Sequence, residues 1–296
     1  MKVIIVDSGD GSCSDEYMQM LPEGITVRGH SLIKEERQHP HGYQCGYYAT
    51  HLLHGRSNIE LVFIRIFDQD ARPIHNSNEW LLEVLADECK PDNKGCWPII
   101  NMSWGAHDQD NALIDRKLGA YWGRWGMKFS NVIGGSAVFC AAGNDDRNDI
   151  DDDLAYPWRL IPHTCLVTGS HRRDGVPSVF SGDGKGVFLT MWGERLPLLD
   201  HDGFWAVGSG TSFSSPKAAG LCAYLKLDAL GFRDYTRAHA TRPDSYDGYM
   251  PHNKWGWGSL EYRYQEASST IPDELRPPPL LKAHQAELQY HDFQRL

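Results

Sequence analysis

The sequence lacks any uninterrupted apolar run near the roughly 18 residues that a membrane-spanning helix needs. Positive charge is also in short supply, since 29 Lys and Arg residues stand against 39 Asp and Glu, a formal net charge of −10. This balance argues against a nucleic-acid or membrane partner, because both require a basic surface. The few residues before Asp7 are too short for a secretory signal. We therefore expect a soluble, cytoplasmic or otherwise intracellular protein, free or assembled into a particle.

Closely spaced cysteine pairs of the kind that bind metal are absent, as are internal repeats and low-complexity tracts. The seven cysteines are an odd number, which favours reduced thiols. A bridge between Cys89 and Cys96 is the alternative in an oxidising compartment. What is present is a chain of 296 residues with 41% hydrophobic residues, which is enough to bury a substantial core.

Five short runs are apolar throughout, which is typical of parallel strands covered by helices on both faces. They span residues 2–6, 60–67, 99–103, 137–142 and 164–168. A helix is predicted over residues 77–88, with Ser77 as its N-cap and with Trp80, Leu81 and Val84 on one face. This alternation predicts an α/β fold with a doubly wound, mainly parallel sheet flanked by helices. In such folds ligands bind beyond the carboxyl ends of the strands.

The composition changes after Ser268, so we predict a single domain over residues 1–268 and a C-terminal extension over residues 269–296. The extension is rich in proline and then becomes charged and weakly amphipathic. Its apolar stripe comprises Leu280, Ala283, Tyr290 and Phe293. One interpretation is a helix packed on the domain, and the other is an arm that docks on a partner or on another copy of the chain.

Four polar residues follow core strands or open helices. Asp7 ends the first strand, His41 opens a helix, and Asn144 follows a strand and the turn-forming Gly143. Ser212 lies at the start of a helix that contains Pro216, which we place in its first turn. An alcohol at a helix N-terminus lies near free backbone N–H groups, which favour negative charge on an attacked carbonyl oxygen.

Together these residues form a constellation suited to acyl transfer. Ser212 would attack, His41 would take its proton, and Asp7 would orient the imidazole and stabilise the imidazolium. Asn144 and the Ser212 backbone N–H would hold the oxyanion.

The same segments resemble the motifs of the subtilase (subtilisin-like serine protease) family. GTSFSSPKAAG is similar to the serine motif, VDSG to the aspartate motif, NMSWG to the substrate-binding strand, AAGN to the oxyanion motif and KWGWGSLEYRYQEAS to the closing segment. The resemblance runs from residue 2 to about residue 268, with the motifs in family order. It implies a subtilisin-like fold and a serine endopeptidase that acts on polypeptides through a catalytic triad.

The resemblance also implies which residues bind substrate, and whether a cofactor, a metal or a propeptide is expected. The substrate-binding positions are Ser103, Trp104, Gly105, Ala142, Gly143 and Asp145. No cofactor is implied for catalysis and no metal at the catalytic site. The propeptide of secreted subtilases has no counterpart, because only six residues precede Asp7. The proteolytic activity would then be limited by narrow specificity, by a partner or by the C-terminal extension.

The chain departs from the family pattern at several positions. Tyr43 follows Gly42 where the family usually has Gly-Thr, so His39 is a fallback for the base. Cys45 falls where proteinase K-like members carry a free cysteine, which implies inactivation by mercurials without a role in turnover. Trp104 replaces a smaller residue and either narrows a subsite or packs against a helix.

The segment after Asn144 is strongly acidic. DDRNDIDDD, residues 145–153, holds six carboxylates and one Arg. In the family fold this loop borders the pocket for the residue before the scissile bond, so one hypothesis is a preference for Arg or Lys there. A structural calcium site and a solvated loop are the alternatives.

Two further interpretations of the whole chain stay open. The irregular histidine motif and the missing propeptide motivate a catalytically weak or inactive binding module built on the same fold. A transpeptidase would use the same triad and differ only in what resolves the acyl-enzyme.

Overall fold

The structure is a computed structural model that describes residues 1–34, 38–105, 112–144, 158–161, 163–242 and 250–277; of residues 112–116 and 159 only the backbone is described. The strands are β1 (Lys2–Asp7), β2 (Thr26–Ser31), β3 (Glu60–Arg65), β4 (Ile99–Met102), β5 (Ala137–Ala141), β6 (Cys165–His171), β7 (Val187–Trp192), β8 (Leu196–Leu199) and β9 (Trp205–Gly208). The helices are α1 (Asp15–Gln19), α2 (His41–Thr50), α3 (Ser77–Glu88), α4 (Ala112–Val132), α5 (Thr211–Leu225), α6 (Ala229–His239) and α7 (Glu261–Ser268).

Seven strands form one parallel sheet in the order β2-β3-β1-β4-β5-β6-β7. The strands β3 and β2 lie on one side of β1, and the strands β4 to β7 follow in chain order on the other side. The strand order therefore reverses between β1 and β4, and the crevice at such a point is where open α/β sheets bind ligands. The strands β8 and β9 form a separate antiparallel pair.

The two faces of the sheet bury two hydrophobic clusters. Along β1, Val3 and Ile5 belong to the cluster beneath α2 and α5, whereas Ile4 and Val6 belong to the cluster beneath α3 and α4. Alternate residues of a strand point to opposite faces, so a strand covered on both sides must be apolar at every position. Burial of each such side chain contributes roughly 1.5–3 kcal/mol. The α/β prediction with a doubly wound, mainly parallel sheet is confirmed.

The helices α2 and α5 pack closely because glycine lies at their contacts. A Cβ atom at Gly42 would lie 2.7 Å from the Gly9 backbone nitrogen, and one at Gly220 would lie 2.7 Å from the Tyr48 carbonyl oxygen. The first contact holds α2 against the loop after β1, and the second holds α5 against α2. These two contacts fix the positions of His41 and Ser212 relative to Asp7.

Several predicted elements differ in detail. The predicted strands correspond to β1, β3, β4, β5 and β6, but the sheet also contains β2 and β7. The N-cap of α3 is Asn76 rather than Ser77, since Ser77 is already helical and buried. The buried face of α3 is formed by Leu81, Leu82 and Leu85, with Trp80 and Val84 packed beside it.

The chain continues past α7 along the domain. Ile271 is buried in the same cluster as α5, and Leu275 packs against its edge. The stripe expected from Leu280 to Phe293 lies outside the described residues, so the division at residue 268 stays a prediction.

All seven cysteines are free thiols. Among the helices in the described ranges, none combines the length and apolar character needed to cross a bilayer.

Candidate active site

The candidate site lies at the carboxyl edge of the sheet, where the strand order reverses. Asp7 is the last residue of β1, and Ser103 follows β4, the next strand across the reversal. Asn144 follows β5 after Gly143, whose φ of 107° lies in the region that favours glycine. The starts of α2 and α5 bring His41 and Ser212 to the same edge.

A contact between two buried side chains, Asp7 at the end of β1 and His41 at the start of α2, joins these two elements. His41 Nδ1 lies 2.9 Å from Asp7 Oδ1 and 3.0 Å from Asp7 Oδ2, and both side chains are buried. Asp7 Oδ1 also accepts a hydrogen bond from the Ser8 backbone N–H at 2.8 Å, and Ser8 Oγ lies 3.1 Å from the same oxygen. These bonds offset the cost of burying a carboxylate. The imidazole is thereby held with Nδ1 toward Asp7, which turns Nε2 the other way.

The imidazole that contacts Asp7 is that of His41 rather than the fallback His39. The two rings lie 6.3 Å apart, and the His39 carbonyl oxygen accepts a hydrogen bond from Ser8 Oγ at 2.9 Å. The unusual Tyr43 has a local explanation, because its hydroxyl donates to Gln38 Oε1 at 2.5 Å. Tyr43 therefore ties the loop before α2 to the body of the domain.

Ser212 is the second residue of α5, and its carbonyl oxygen has an unusual set of partners. Pro216 lies in the second turn of α5 and not in the first as predicted, because the helix begins at Thr211. Proline has no N–H, so the bond that residue 216 would make to the Ser212 carbonyl is missing. That carbonyl instead accepts from Ser103 Oγ at 2.8 Å and from Cys45 Sγ at 3.4 Å. The Ser212 hydroxyl donates to the Ser103 carbonyl oxygen at 3.2 Å.

The Asn144 amide is oriented by the residue before Ser212. Asn144 Oδ1 accepts from the Thr211 backbone N–H at 2.8 Å and lies 2.9 Å from Thr211 Oγ1. An amide whose oxygen is fixed in this way has a fixed direction for its N–H₂ donors. The Ser212 N–H is one of the first four of α5, which have no acceptor inside the helix.

Cys45 lies beneath the Asp7–His41 pair. Single ligand atoms of Asp7, His41 and Cys45 all lie within 4.8 Å of one another. Burial raises the pKa of the Cys45 thiol well above its usual range, and the nearby Asp7 carboxylate raises it further. The thiol therefore stays protonated, which makes it a poor nucleophile.

The positions predicted to bind substrate lie on two neighbouring strand ends. Ser103, Trp104 and Gly105 follow β4, while Ala142 and Gly143 follow β5. The Trp104 ring is 6% exposed and packs within 6.2 Å of the Trp122 and Trp125 rings of α4 and 5.0 Å from the Trp158 ring. This geometry supports the packing interpretation of Trp104.

Asp145 and the acidic segment 145–153 lie outside the described residues. The preference for basic residues and the calcium site both rest on that segment, so both stay predictions.

Sequence reasoning missed the residues that hold the predicted ones in place. Ser8 binds Asp7, Thr211 binds Asn144, and Asn101 Nδ2 donates to Ser103 Oγ at 2.9 Å. Ser215 Oγ in turn donates to Asn101 Oδ1 at 2.7 Å. The sequence feature that could have indicated these supporting residues is their position, since each lies within three residues of a predicted site residue along the chain.

Comparison with protein families gives one family model, described as the Subtilase family, which matches residues 52–258, more than half of the chain. Asp7 and His41 precede the matched segment, whereas Asn144 and Ser212 lie within it.

Two fungal proteins illustrate the curated relatives. Subtilisin-like protease 7 of Trichophyton equinum is 31% identical over 156 residues, which is 50% of this chain and 37% of that protein. A subtilisin-like protease of Coccidioides posadasii is 29% identical over 152 residues, 49% of this chain and 37% of its own length. The chain therefore spans little more than a third of the curated relatives that it matches.

Solved structures share the fold. A lanthipeptide protease aligns with a TM-score of 0.63 at 16% identity, over 92% of this chain and 88% of that one. A cold-adapted subtilisin-like serine proteinase aligns with a TM-score of 0.61 at 18% identity, over 88% of each chain.

Proposed function

This chain belongs to the subtilase family, and from that premise we propose that it is a serine endopeptidase that acts through Asp7, His41 and Ser212. The observation that carries the proposal is the buried contact of 2.9 Å between Asp7 Oδ1 and His41 Nδ1, made at the same sheet edge as Ser212. A buried carboxylate paired with an imidazole is the arrangement that a general base requires.

In the proposed reaction the Ser212 hydroxyl attacks the substrate carbonyl carbon while its proton passes to His41 Nε2. Asp7 holds the proton on Nδ1 and stabilises the imidazolium that forms. The tetrahedral intermediate collapses as His41 returns the proton to the leaving amine, which leaves an acyl-enzyme on Ser212. Water, deprotonated by His41, then hydrolyses the ester.

The negative oxygen of the intermediate would lie between the Asn144 amide N–H₂ and the Ser212 backbone N–H. Thr211 supports this role because it fixes the Asn144 amide oxygen on the opposite side. Donors held in advance need no reorganisation during the reaction, which is why such a site typically supplies 10²–10³ in rate.

The test is the intact mass of the protein after treatment with a fluorophosphonate probe. We expect one adduct on the wild type and none on Ser212→Ala or His41→Ala, since the reaction needs both the nucleophile and its base. Ser214→Ala is the matched control and should still be labelled, because Ser214 Oγ donates to the Met191 carbonyl oxygen, away from the site. A folded wild type that takes no label would favour a subtilase-fold binding module instead.

We also propose that the enzyme prefers Arg or Lys before the scissile bond. The support is the acidic sequence of residues 145–153, because carboxylates beside a partly desolvated pocket favour a cationic side chain. Peptides that differ only at that position should be cleaved faster with Arg than with Phe or Leu. The reverse order would refute the preference, and a loss of stability on adding a calcium chelator would assign the loop to calcium.

A further inference from the structure

A cavity with a volume of about 520 Å³ lies beside Lys217 of α5, and its lining does not include the proposed catalytic side chains. It opens between α7, the start of β8 and the end of α2. Lys217 in its wall lies five residues after Ser212, about 7.5 Å along the helix axis. The volume is within the range of small-molecule sites.

The cavity has an excess of positive charge in a protein whose net charge is −10. Among the described lining residues, three are cationic, Arg173, Lys217 and Arg276, and one is a carboxylate, Glu261. Lys217 Nζ bonds both Glu261 oxygens at 2.7 Å, and Arg276 pairs with Asp273 at 2.7 Å. Both of these cations are therefore compensated.

Arg173 is different, because it has no carboxylate partner among the described residues. It is exposed, and its guanidinium carbon lies 5.7 Å from the centre of the Trp192 ring. A guanidinium stacked on an aromatic face is weakly hydrated and keeps its donors for a planar anion.

The rest of the wall is largely aromatic and aliphatic, with Tyr48, Trp192, Leu196, Pro197 and Tyr264 among the lining residues. The hydroxyl of Tyr264 is buried and finds no hydrogen-bond partner in the described part of the chain. Such a wall favours a flat apolar body, and Arg173, which has no carboxylate partner among the described residues, favours a single negative charge. A phosphate dianion would fit neither property.

We propose that this cavity binds a small aromatic monocarboxylate, whose carboxylate pairs with Arg173 and whose ring lies against the partly exposed Trp192. The inference rests on the described residues of this cavity and is independent of the proposed peptidase activity.

The experiment is calorimetric titration of the full chain with 2-naphthoate and, in parallel, with the uncharged 2-naphthamide. We expect naphthoate to bind the wild type, naphthamide to bind at least about fivefold more weakly, and Arg173→Gln to lose about tenfold in naphthoate affinity. Arg173 is exposed, so the variant should fold, and circular dichroism checks this.

Arg172→Gln is the matched control, because the Arg172 guanidinium pairs with Asp174 and does not line the cavity. It should bind naphthoate like the wild type. Ser212→Ala should do so too, which separates this cavity from the catalytic site. The proposal is overturned if the full chain binds no naphthoate, if both ligands bind equally, or if Arg173→Gln binds as the wild type does.

Discussion

At Ser212 the backbone carbonyl is as closely held as the side chain. Pro216 removes one helical hydrogen bond, and the freed carbonyl is taken up by Ser103 Oγ and Cys45 Sγ. The start of α5 is thereby tied to β4 and α2 instead of to its own next turn. The backbone of the proposed nucleophile is thus fixed by two other elements, which limits its freedom to move.

Thr211 is expected to act on catalysis by positioning Asn144 and the Gly143 backbone, because its hydroxyl lies 2.9 Å from Asn144 Oδ1 and 3.1 Å from the Gly143 carbonyl oxygen. Thr211→Val removes the hydroxyl that lies 2.9 Å from Asn144 Oδ1 but keeps the shape of a fully buried side chain. We expect kcat on a peptide substrate to fall by about tenfold with KM little changed, because the oxyanion donor is misplaced rather than lost. Thr236→Val, which alters a buried hydroxyl in α6, is the matched control. Equal kcat values for Thr211→Val and the wild type would contradict the positioning role.

Cys45 should matter to inhibition and not to turnover. Its thiol is buried beneath the Asp7–His41 pair, so a mercurial bound there would displace the imidazole. We expect Cys45→Ala to keep most of the wild-type kcat/KM and to become resistant to a mercurial that inactivates the wild type. The exposed Cys96 supplies the control, since Cys96→Ala should stay sensitive. A Cys45→Ala variant without activity would instead place the thiol in the reaction.

At the scale of elements, sequence pattern predicted the five central strands of the sheet and missed the two edge strands. The strand β2 lies at the sheet edge and contains Arg28, Gly29 and His30, so it has no apolar run. It is held partly by charge, since Arg28 bonds Glu88 and Glu60 at 2.7 Å each. The run of β7 is interrupted by Thr190 and lies at the opposite edge. Long-range ion pairs and edge position leave no periodic signal in the sequence, whereas burial on two faces does.

The candidate site was predictable for a related reason. Asp7, Asn144 and Ser212 each adjoin a core strand or open a core helix, and such ends converge at one edge of a parallel sheet. The partners that orient them were not predictable, because a hydroxyl such as that of Ser8 or Thr211 becomes informative only when its neighbours in space are known.

Removing one partner of the buried ion pair between α5 and α7 should be strongly destabilising. Lys217 is 1% exposed, and burial lowers the pKa of its ammonium although Glu261 opposes this. Lys217→Met would leave the Glu261 carboxylate buried without its partner, at a cost of about 3–5 kcal/mol in the free energy of unfolding. Urea denaturation with and without Lys217→Met, in a Ser212→Ala background that lacks the proposed nucleophile, measures this cost.

The control for that cost is an exposed pair of the same kind. Lys128 bonds Glu79 at 3.0 Å with both side chains more than half exposed, so Lys128→Met should cost no more than about 1 kcal/mol. Adding Glu261→Gln to Lys217→Met should restore part of the stability, because the stranded charge is then removed. If Lys217→Met and Lys128→Met lower the free energy of unfolding equally, burial of the Lys217–Glu261 pair does not increase the cost of breaking it.

For the whole molecule, buried and half-buried histidines contribute to the dependence of stability on pH. Burial lowers the pKa of His51 to about 3, and the charges of Lys217 and Arg276 contribute. Burial also lowers the pKa values of His54 and His171. In the unfolded chain a histidine titrates near about 6.5. Above that pH His51 is neutral in both states. As the pH falls from about 6.5 toward 3, the unfolded chain gains a proton that the folded chain does not, so stability is lost on acidification.

His51→Phe should flatten this dependence. Between pH 7 and pH 5, one such histidine lowers the free energy of unfolding by about 2 kcal/mol, since the loss is about 1.4 kcal/mol per pH unit below 6.5. In the Ser212→Ala background, the drop measured by urea denaturation should therefore be about 2 kcal/mol smaller for His51→Phe. Phenylalanine keeps the ring contact with Tyr47, whose centre lies 5.1 Å away. The exposed His75 is the control, because His75→Gln should leave the drop unchanged. A drop in His51→Phe as large as that of its parent would mean that His51 accepts its proton in the folded state as readily as in the unfolded chain.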